Sequence, residues 1–146
     1  MPDIKKKISI IRPTIDTKYH IDFEWWQDTD SNWRIFLFDL LCGHHREFFE
    51  DAKDTIKIDA VDAETAQITQ VDGLLYTLMH HCAQKEDFIP TNLPLIARVF
   101  RVFLSNGNMP LSPNDLAPMV DRPARTILAA LSGHRVYKGI RPISNR

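Results

Sequence analysis

Residues 106–133 indicate the fold more clearly than any other stretch, and they read NGNMPLSPNDLAPMVDRPARTILAALSG. The opening Asn-Gly-Asn suits the left-handed backbone that ends a preceding helix. Ser112 then offers an N-cap, and Pro113 suits the first helical turn, where its missing N–H is not needed. The stretch therefore predicts the end of one helix, a short extended link at 109–111 and a second helix over 114–120.

A third helix is predicted between Asp121 and Gly133. Asp121 is interpreted as its N-cap, Pro123 lies in its first turn, and Gly133 ends it. Four apolar residues recur at the spacing of one helical face, which is the face expected to be buried: Ala124, Ile127, Leu128 and Leu131. The opposite face is then slim and partly basic.

The neighbouring stretches complete an order of elements. Upstream, apolar residues repeat at helical spacing and predict a first helix from about Leu93: Leu95, Ile96, Val99, Phe100, Phe103 and Leu104. Downstream, residues 135–141 read RVYKGIR and predict a strand with a turn glycine. The predicted order is helix, short strand, helix, tight turn, helix and strand.

This order, over about residues 93–143, resembles the winged helix-turn-helix superfamily. The resemblance implies that the third helix enters the major groove of DNA and that a wing contacts the backbone or the minor groove. Few residues follow Ile143, so the wing is expected to be short or single-stranded.

Six residues on the outer face of the third helix and in the wing are the predicted DNA contacts: Arg122, Arg125, Thr126, Arg135, Lys138 and Arg141. Arginine can pair with guanine or clamp a phosphate, and threonine can contact a base edge. The cations of the wing would add phosphate contacts and salt-dependent affinity. The alternative is a solvated surface on a protein-interaction domain.

Charge is divided unequally along the chain, although the net charge is only -1. Residues 98–146 hold eight basic and two acidic residues, a net charge of +6, and residues 1–97 hold ten basic and 17 acidic residues, a net charge of -7. Such asymmetry is expected when one part of a protein approaches a polyanion.

The N-terminal part predicts a less regular set of helices. A core helix is predicted over 32–42, with Gly43 stopping or bending it, and a second short helix over 46–52. Phe48 and Phe49 of that second helix are both expected to face inward.

A hairpin is expected next, because residues 55–61 and 67–71 alternate apolar and polar side chains around a turn at 62–65. Asp72 is then the predicted N-cap of a helix that runs to about Gln84. With the hairpin, these helices predict an α+β fold.

Two parts are predicted within that fold: an α+β region over 1–90 and a winged helix-turn-helix domain over 91–146. No glycine-serine linker separates them, so they can share one core. Six aromatic residues near the start form either a core or a partner surface: Phe23, Trp25, Trp26, Trp33, Phe36 and Phe38. The acidic first part is therefore the candidate for dimerisation or for binding another protein.

Both cysteines and four of the six histidines lie in two clusters, CGHH at 42–45 and HHC at 80–82. Their residues with zinc-ligand potential are Cys42, His45, His81 and Cys82. Against a zinc site, adjacent residues of a helix diverge by about 100°. Both cysteines also fall on apolar helix faces, where a free thiol behaves as a small hydrophobe. No cofactor is therefore expected, with structural zinc as the alternative.

Several classes of protein do not fit this sequence. No apolar run approaches the roughly 20 residues of a membrane span, and the apolar block within residues 4–12 is too short for a secretory leader and suits an edge strand or an extended arm. Two cysteines do not make a disulfide framework, and there is no glycine-rich phosphate loop or thiol nucleophile with an evident base. We expect a cytoplasmic, non-enzymatic, transcription-regulator-like DNA-binding protein. The alternative is an adaptor whose winged helix and aromatic region bind proteins in a larger complex.

Overall fold

The computed structural model describes residues 12–49, 57–61, 63–133 and 135–143. The predicted strand or arm at 4–12 lies outside these residues except for Arg12. Helices and short antiparallel strands together make the α+β fold that the sequence predicts. In chain order the described elements are β1 (Tyr19–Ile21), α1 (Phe23–Thr29), α2 (Trp33–Phe38), α3 (Gly43–Phe48), β2 (Lys57–Val61), β3 (Ile68–Asp72), α4 (Gly73–His80), a 3-10 turn (Cys82–Gln84), α5 (Leu95–Ser105), α6 (Pro113–Val120), α7 (Ala124–Leu131) and β4 (Ile140–Pro142). No helix in this part of the chain is long and apolar enough to cross a membrane.

The three helices predicted after about Leu93 are present as α5, α6 and α7, and one of their caps differs from the prediction. Ser112 caps α6 as predicted and forms a capping box with Asp115. Asp121 takes the left-handed conformation, with φ of 55°, and ends α6, so its predicted role as the N-cap of α7 is wrong. Aspartate tolerates that backbone and thereby makes the tight turn. Pro123 is the residue that precedes α7.

The strand predicted over residues 135–141 is wrong in its first part, because β4 begins only at Ile140 and residues 135–138 are not in a strand. Lys138 and Gly139 have φ of 47° and 84°, which turn the chain before β4. A Cβ on Gly139 would lie 3.0 Å from the backbone oxygen of Asp22, so only glycine fits that turn without a shift.

The partner of β4 is β1, which lies more than a hundred residues earlier in the chain. Ile21 pairs with Ile140 and Tyr19 with Pro142, and Tyr19 also bridges to Leu111 on its other side. β1 therefore lies between the link that precedes α6 and the segment where a wing was predicted.

The hairpin prediction is confirmed, with β2 and β3 antiparallel from Lys57 opposite Asp72 to Val61 opposite Ile68. Asp72 is the N-cap of α4 as predicted, and its side chain accepts hydrogen bonds from the N–H groups of the next turn. Asp72 also forms an ion pair with Arg34 of α2. The helix is shorter than predicted, because it ends at His80 before the 3-10 turn.

The N-terminal helices differ from the prediction in length and in direction. The helix predicted over 32–42 is shorter in the structure, where α2 covers only Trp33–Phe38. Gly43 begins α3 and does not end a helix. Phe49 is buried, but Phe48 is 69% exposed, so its predicted inward orientation is wrong. Phe49 lies past the end of α3 as its C-cap, with a non-helical backbone of φ -105° and ψ 68°, so its side chain does not continue the helical register of Phe48.

A single buried core runs across the boundary predicted between residues 90 and 91. Trp26 of α1 and Leu37 of α2 belong to it together with Phe100 and Phe103 of α5 and Ile127 of α7. The rings of Trp26 and Phe100 meet edge to face with centroids 5.6 Å apart. The two predicted parts are therefore packed against each other through large apolar side chains.

An ion pair between Lys18 and Asp115 joins the segment before β1 to α6, at 2.7 Å between Lys18 Nζ and Asp115 Oδ2. The hydrogen bonds from Lys18 and from the Ser112 backbone N–H hold the pKa of the Asp115 carboxyl below its ordinary value. Such a group stabilises the fold above its unfolded pKa, and that contribution is lost as the pH falls through the lowered folded pKa.

We therefore expect Asp115→Asn to be less stable than the wild type at about pH 7, with the difference narrowing as the pH falls towards about 3. Urea unfolding over a pH series measures this. Asp28→Asn, at an exposed position of α1, controls for the loss of one negative charge. A stability difference that does not change with pH would contradict a contribution from the Asp115 charge.

Candidate functional site

The exposed face of α7 is the first candidate site. Arg122 in the turn and Arg125 and Thr126 in the first turn of the helix are all exposed, and Ala129 further along is exposed as well. The other face anchors the helix, because Ile127 is fully buried. Among the described residues, the side chains of Arg122 and Arg125 form no ion pair with an acidic group. Both arginines are exposed at the start of α7.

Arg135 follows α7 and is also exposed, whereas the last two predicted DNA contacts have partners within the fold. Lys138 Nζ lies 4.5 Å from the centroid of the Phe36 ring, a cation–π geometry. Arg141 donates a hydrogen bond of 3.0 Å to Asp22 and its guanidinium lies over Trp25. The structure therefore brings together the contacts predicted on α7 and ties Lys138 and Arg141 into the junction with α1 and α2.

A groove adjoins the exposed face of α7 and was not predicted from the sequence. It lies between α1 and the segment that follows α7, and its lining includes Trp25, Thr29, Ala130, Arg135 and Tyr137. Aromatic residues and arginine are enriched at protein–protein interfaces, and arginine also contacts phosphate oxygens of DNA. Sequence patterns could not have joined Trp25 to Tyr137, because more than a hundred residues separate them.

The second candidate site is a cluster of two thiols and one imidazole between α3 and the end of α4. Cys42 Sγ lies 3.1 Å from His45 Nδ1 and 3.5 Å from Cys82 Sγ, and Cys82 Sγ lies 3.6 Å from His45 Nδ1. The backbone N–H of Cys42 also donates to Cys82 Sγ at 3.3 Å. Three of the four zinc candidates named from the sequence therefore meet at one point.

His81, the fourth of those candidates, lies beside this group but outside it. Its ring stacks on that of His45 with centroids 5.4 Å apart, and its nitrogens are not part of the three-donor group. The sequence argued against a zinc site because adjacent side chains of one helix point in different directions. That argument does not apply to Cys82. α4 ends at His80, and His81 has φ of -122° and ψ of -63°, so Cys82 follows a break in the helix.

The electrostatics of the cluster favour metal-binding forms of two of its groups. Burial alone would raise the pKa of the Cys42 thiol, but the nearby backbone N–H groups of His45 and His44 and the hydrogen bond from Cys82 lower it overall. Burial raises the pKa of the Cys82 thiol. Burial, the nearby histidines and Lys85 lower the pKa of His45, which favours the neutral imidazole. A thiolate and a neutral imidazole are the forms that bind metal ions.

The structure thus defines the class of this protein as an α+β protein with three successive helices, α5 to α7, and a thiol–imidazole cluster between α3 and the end of α4. No family model, curated protein or solved structure matches the chain.

Proposed function

We propose that the protein binds double-stranded DNA and acts as a transcription regulator of the winged helix-turn-helix kind. The observation that carries the proposal is the exposed, partly basic face of α7, formed by Arg122, Arg125 and Thr126. In such proteins the second helix of the helix–turn–helix enters the major groove, with its N-terminal residues at the base edges. These three residues lie at that end of α7.

The shape of α7 supports insertion into a groove. Beyond its first turn, the outer face carries the small side chains of Ala129 and Ala130, which are both exposed. Small residues let a helix backbone approach base edges closely, while the arginines at its start can reach guanine or phosphate oxygens. Arg135, just beyond the helix, would add a phosphate contact.

Charge distribution adds a second line of support. The net charge of +6 over residues 98–146 lies in the part of the chain that contains α6 and α7, and the acidic remainder would turn away from DNA. The acidic part would then contact a second copy or another protein. A cytoplasmic location belongs to the same proposal, because a reducing compartment keeps the thiols of Cys42 and Cys82 free.

We expect the wild type to bind a labelled pool of random-sequence duplexes, with affinity falling steeply between about 50 and 200 mM salt. Arg122→Ala combined with Arg125→Ala should weaken binding at least tenfold, about 1.4 kcal/mol or more, because both side chains can contact bases or phosphates. The slope of log affinity against log salt should flatten by about one for each phosphate that the variant no longer neutralises. Fluorescence anisotropy over a salt series measures both quantities.

The matched control removes two arginines elsewhere, Arg12→Ala with Arg46→Ala, at positions that are exposed and outside α7. It has the same net charge as the test variant and should bind nearly as the wild type does. If both double variants lose the same affinity for DNA, the loss is explained by the lower positive charge of the protein alone. That result would contradict a role for α7. Absence of salt-sensitive duplex binding, or binding only to RNA, would contradict the DNA proposal itself.

The hairpin supports a second candidate function, that of an adaptor. Val61 and Ile68 face each other across the end of β2 and β3 and are 64% and 62% exposed, and Phe48 of α3 is also exposed. Exposed apolar groups of this kind are typical of protein contact surfaces. A protein that fails to bind DNA, but whose self-association or partner binding is lost in Val61→Ser with Ile68→Ser, would be an adaptor.

A further inference from the structure

The geometry points to a zinc site formed by Cys42 Sγ, Cys82 Sγ and His45 Nδ1. These three atoms come from two segments 40 residues apart and lie within 4.8 Å of one another. The inference is independent of DNA binding, because none of the three residues belongs to α6 or α7.

The distances match those of a tetrahedral zinc centre. With Zn–S of about 2.3 Å and Zn–N of about 2.0–2.1 Å, ligand sulfurs lie about 3.8 Å apart and sulfur and nitrogen about 3.6 Å apart. In the cluster the sulfurs are 3.5 Å apart, and the sulfur–nitrogen distances are 3.1 and 3.6 Å. Each separation agrees with the tetrahedral value to about half an ångström. A shift of that size is within the reach of side-chain rotation.

The donor set favours zinc among the common metal ions. Two thiolates and one imidazole suit zinc, whereas calcium and magnesium take oxygen ligands. Two thiolates also balance the charge of Zn²⁺, so a neutral centre can sit beside the buried Cys82. The fourth corner of the tetrahedron is left to water in this assignment.

Local backbone structure brings Cys42 and His45 to the same side of the chain. Cys42 has an extended backbone with φ of -70° and ψ of 164° and immediately precedes α3. The C-x-x-H spacing follows from this turn, because residue 45 returns to the same side of the chain as residue 42.

A disulfide is the competing interpretation of the two cysteines. A disulfide needs sulfurs about 2.05 Å apart, whereas these are 3.5 Å apart, with His45 Nδ1 in contact with both. A disulfide would leave that imidazole without a role. The convergence of all three donors is what favours a metal.

Zinc at this site would tie the start of α3 to the end of α4. The chain between them includes the β2–β3 hairpin, so the metal would close a loop of 40 residues at its base. Closing a long loop restricts the unfolded chain and stabilises the folded one. Bound zinc is therefore expected to stabilise the folded chain, whatever occupies the fourth corner of its tetrahedron.

The test uses the full chain, purified under reducing conditions from cells supplied with zinc. We expect about one zinc per chain by mass spectrometry of the metal. In the metal-free protein, added Co²⁺ should give the absorption bands of thiolate-to-cobalt charge transfer. Saturating zinc should raise the Tm of the wild type, because it binds only the folded form.

The ligand variants are Cys42→Ser and His45→Ala, chosen because neither residue is fully buried. Each should lower zinc affinity by more than about a hundredfold, the upper range for losing an outer-shell partner of a metal site. Neither should show the zinc-dependent rise in Tm. Far-UV circular dichroism checks that both variants fold, and His44→Ala and His81→Ala, which change exposed neighbours, should keep stoichiometric zinc.

Three results would overturn the assignment. The first is a reduced wild type that binds neither Zn²⁺ nor Co²⁺ stoichiometrically. The second is a Cys42–Cys82 disulfide in place of the metal site. The third is a zinc affinity in Cys42→Ser and His45→Ala equal to that of the wild type. Loss of zinc in His81→Ala would overturn the assignment of the three ligands. None of these results bears on the α7 arginines, so the zinc site and DNA binding can fail separately.

Discussion

Trp26→Ala is expected to lower the free energy of unfolding by about 3–5 kcal/mol, which is a large part of the 5–15 kcal/mol typical of a domain. Trp26 is 1% exposed and lies at the centre of the aromatic core. Its ring meets those of Trp33, Phe36 and Phe100 edge to face, with centroids 5.6 to 5.9 Å apart. Alanine would leave a cavity bordered by three rigid rings that cannot collapse into it.

The indole N–H adds a polar contribution, because it donates to Asp30 Oδ2 at 3.1 Å. Trp26→Phe should therefore be intermediate, since it keeps ring contacts and loses the hydrogen bond. Trp25→Ala is the matched control, because Trp25 is adjacent but only half-buried. Urea unfolding measures all three variants. Equal losses for Trp26→Ala and Trp25→Ala would contradict the central place of Trp26.

The same experiment tests how the two predicted parts are coupled. Trp26 belongs to α1 and Phe100 to α5, so one cavity weakens the packing on both sides of residue 90. We expect fluorescence and circular dichroism to report one coincident unfolding transition in the wild type and in Trp26→Ala. Two separate transitions would show that the parts unfold independently despite the shared core.

Asn108→Ala is expected to cost about 2–4 kcal/mol, the second large effect. The Asn108 side chain accepts from the backbone N–H of Ile21 at 2.8 Å and donates to the backbone oxygen of Ile21 at 2.9 Å. Asn108 also has φ of 61°, in the left-handed region that alanine disfavours. Alanine would thus leave two partly buried backbone groups unpaired and strain the turn that follows α5.

Asn108→Gly separates the two causes, because glycine keeps the left-handed backbone and removes only the amide. It should be more stable than Asn108→Ala and less stable than the wild type in thermal and urea unfolding. If Asn108→Gly equals the wild type, the hydrogen bonds to β1 contribute nothing. If both variants are equal, the backbone conformation contributes nothing.

Short-range patterns predicted the helices and caps that depend on neighbouring residues. Ser112 and Asp72 cap their helices as expected, because an N-cap satisfies N–H groups only two or three residues away. The hairpin was predicted for a similar reason, since its alternation and turn are local. Asp121 was misassigned because an aspartate between two helices can end one or begin the next.

The candidate sites were predicted less evenly. The exposed face of α7 follows from helical spacing alone, so Arg122 and Arg125 were placed correctly on the surface. The intramolecular partners of Lys138 and Arg141 were not predictable, because Phe36 and Asp22 lie about a hundred residues away in sequence. For Cys82, the misplaced end of α4 also led to an argument against a metal that the fold does not support.

Periodicity and capping were sufficient to predict the α+β class and the order of α5, α6 and α7, because they depend on neighbouring residues. The two clusters of cysteine and histidine can be read directly from the sequence. Three features depended on packing: the pairing of β1 with β4, the core shared across residue 90, and the meeting of Cys42, His45 and Cys82. Each of these features joins residues that are distant in sequence. Which distant residues come into contact depends on how the helices and strands pack their apolar faces together, and local sequence patterns do not show this. The basic face of α7 was therefore predictable from the sequence, whereas the thiol–imidazole cluster took shape only where α3 and α4 meet.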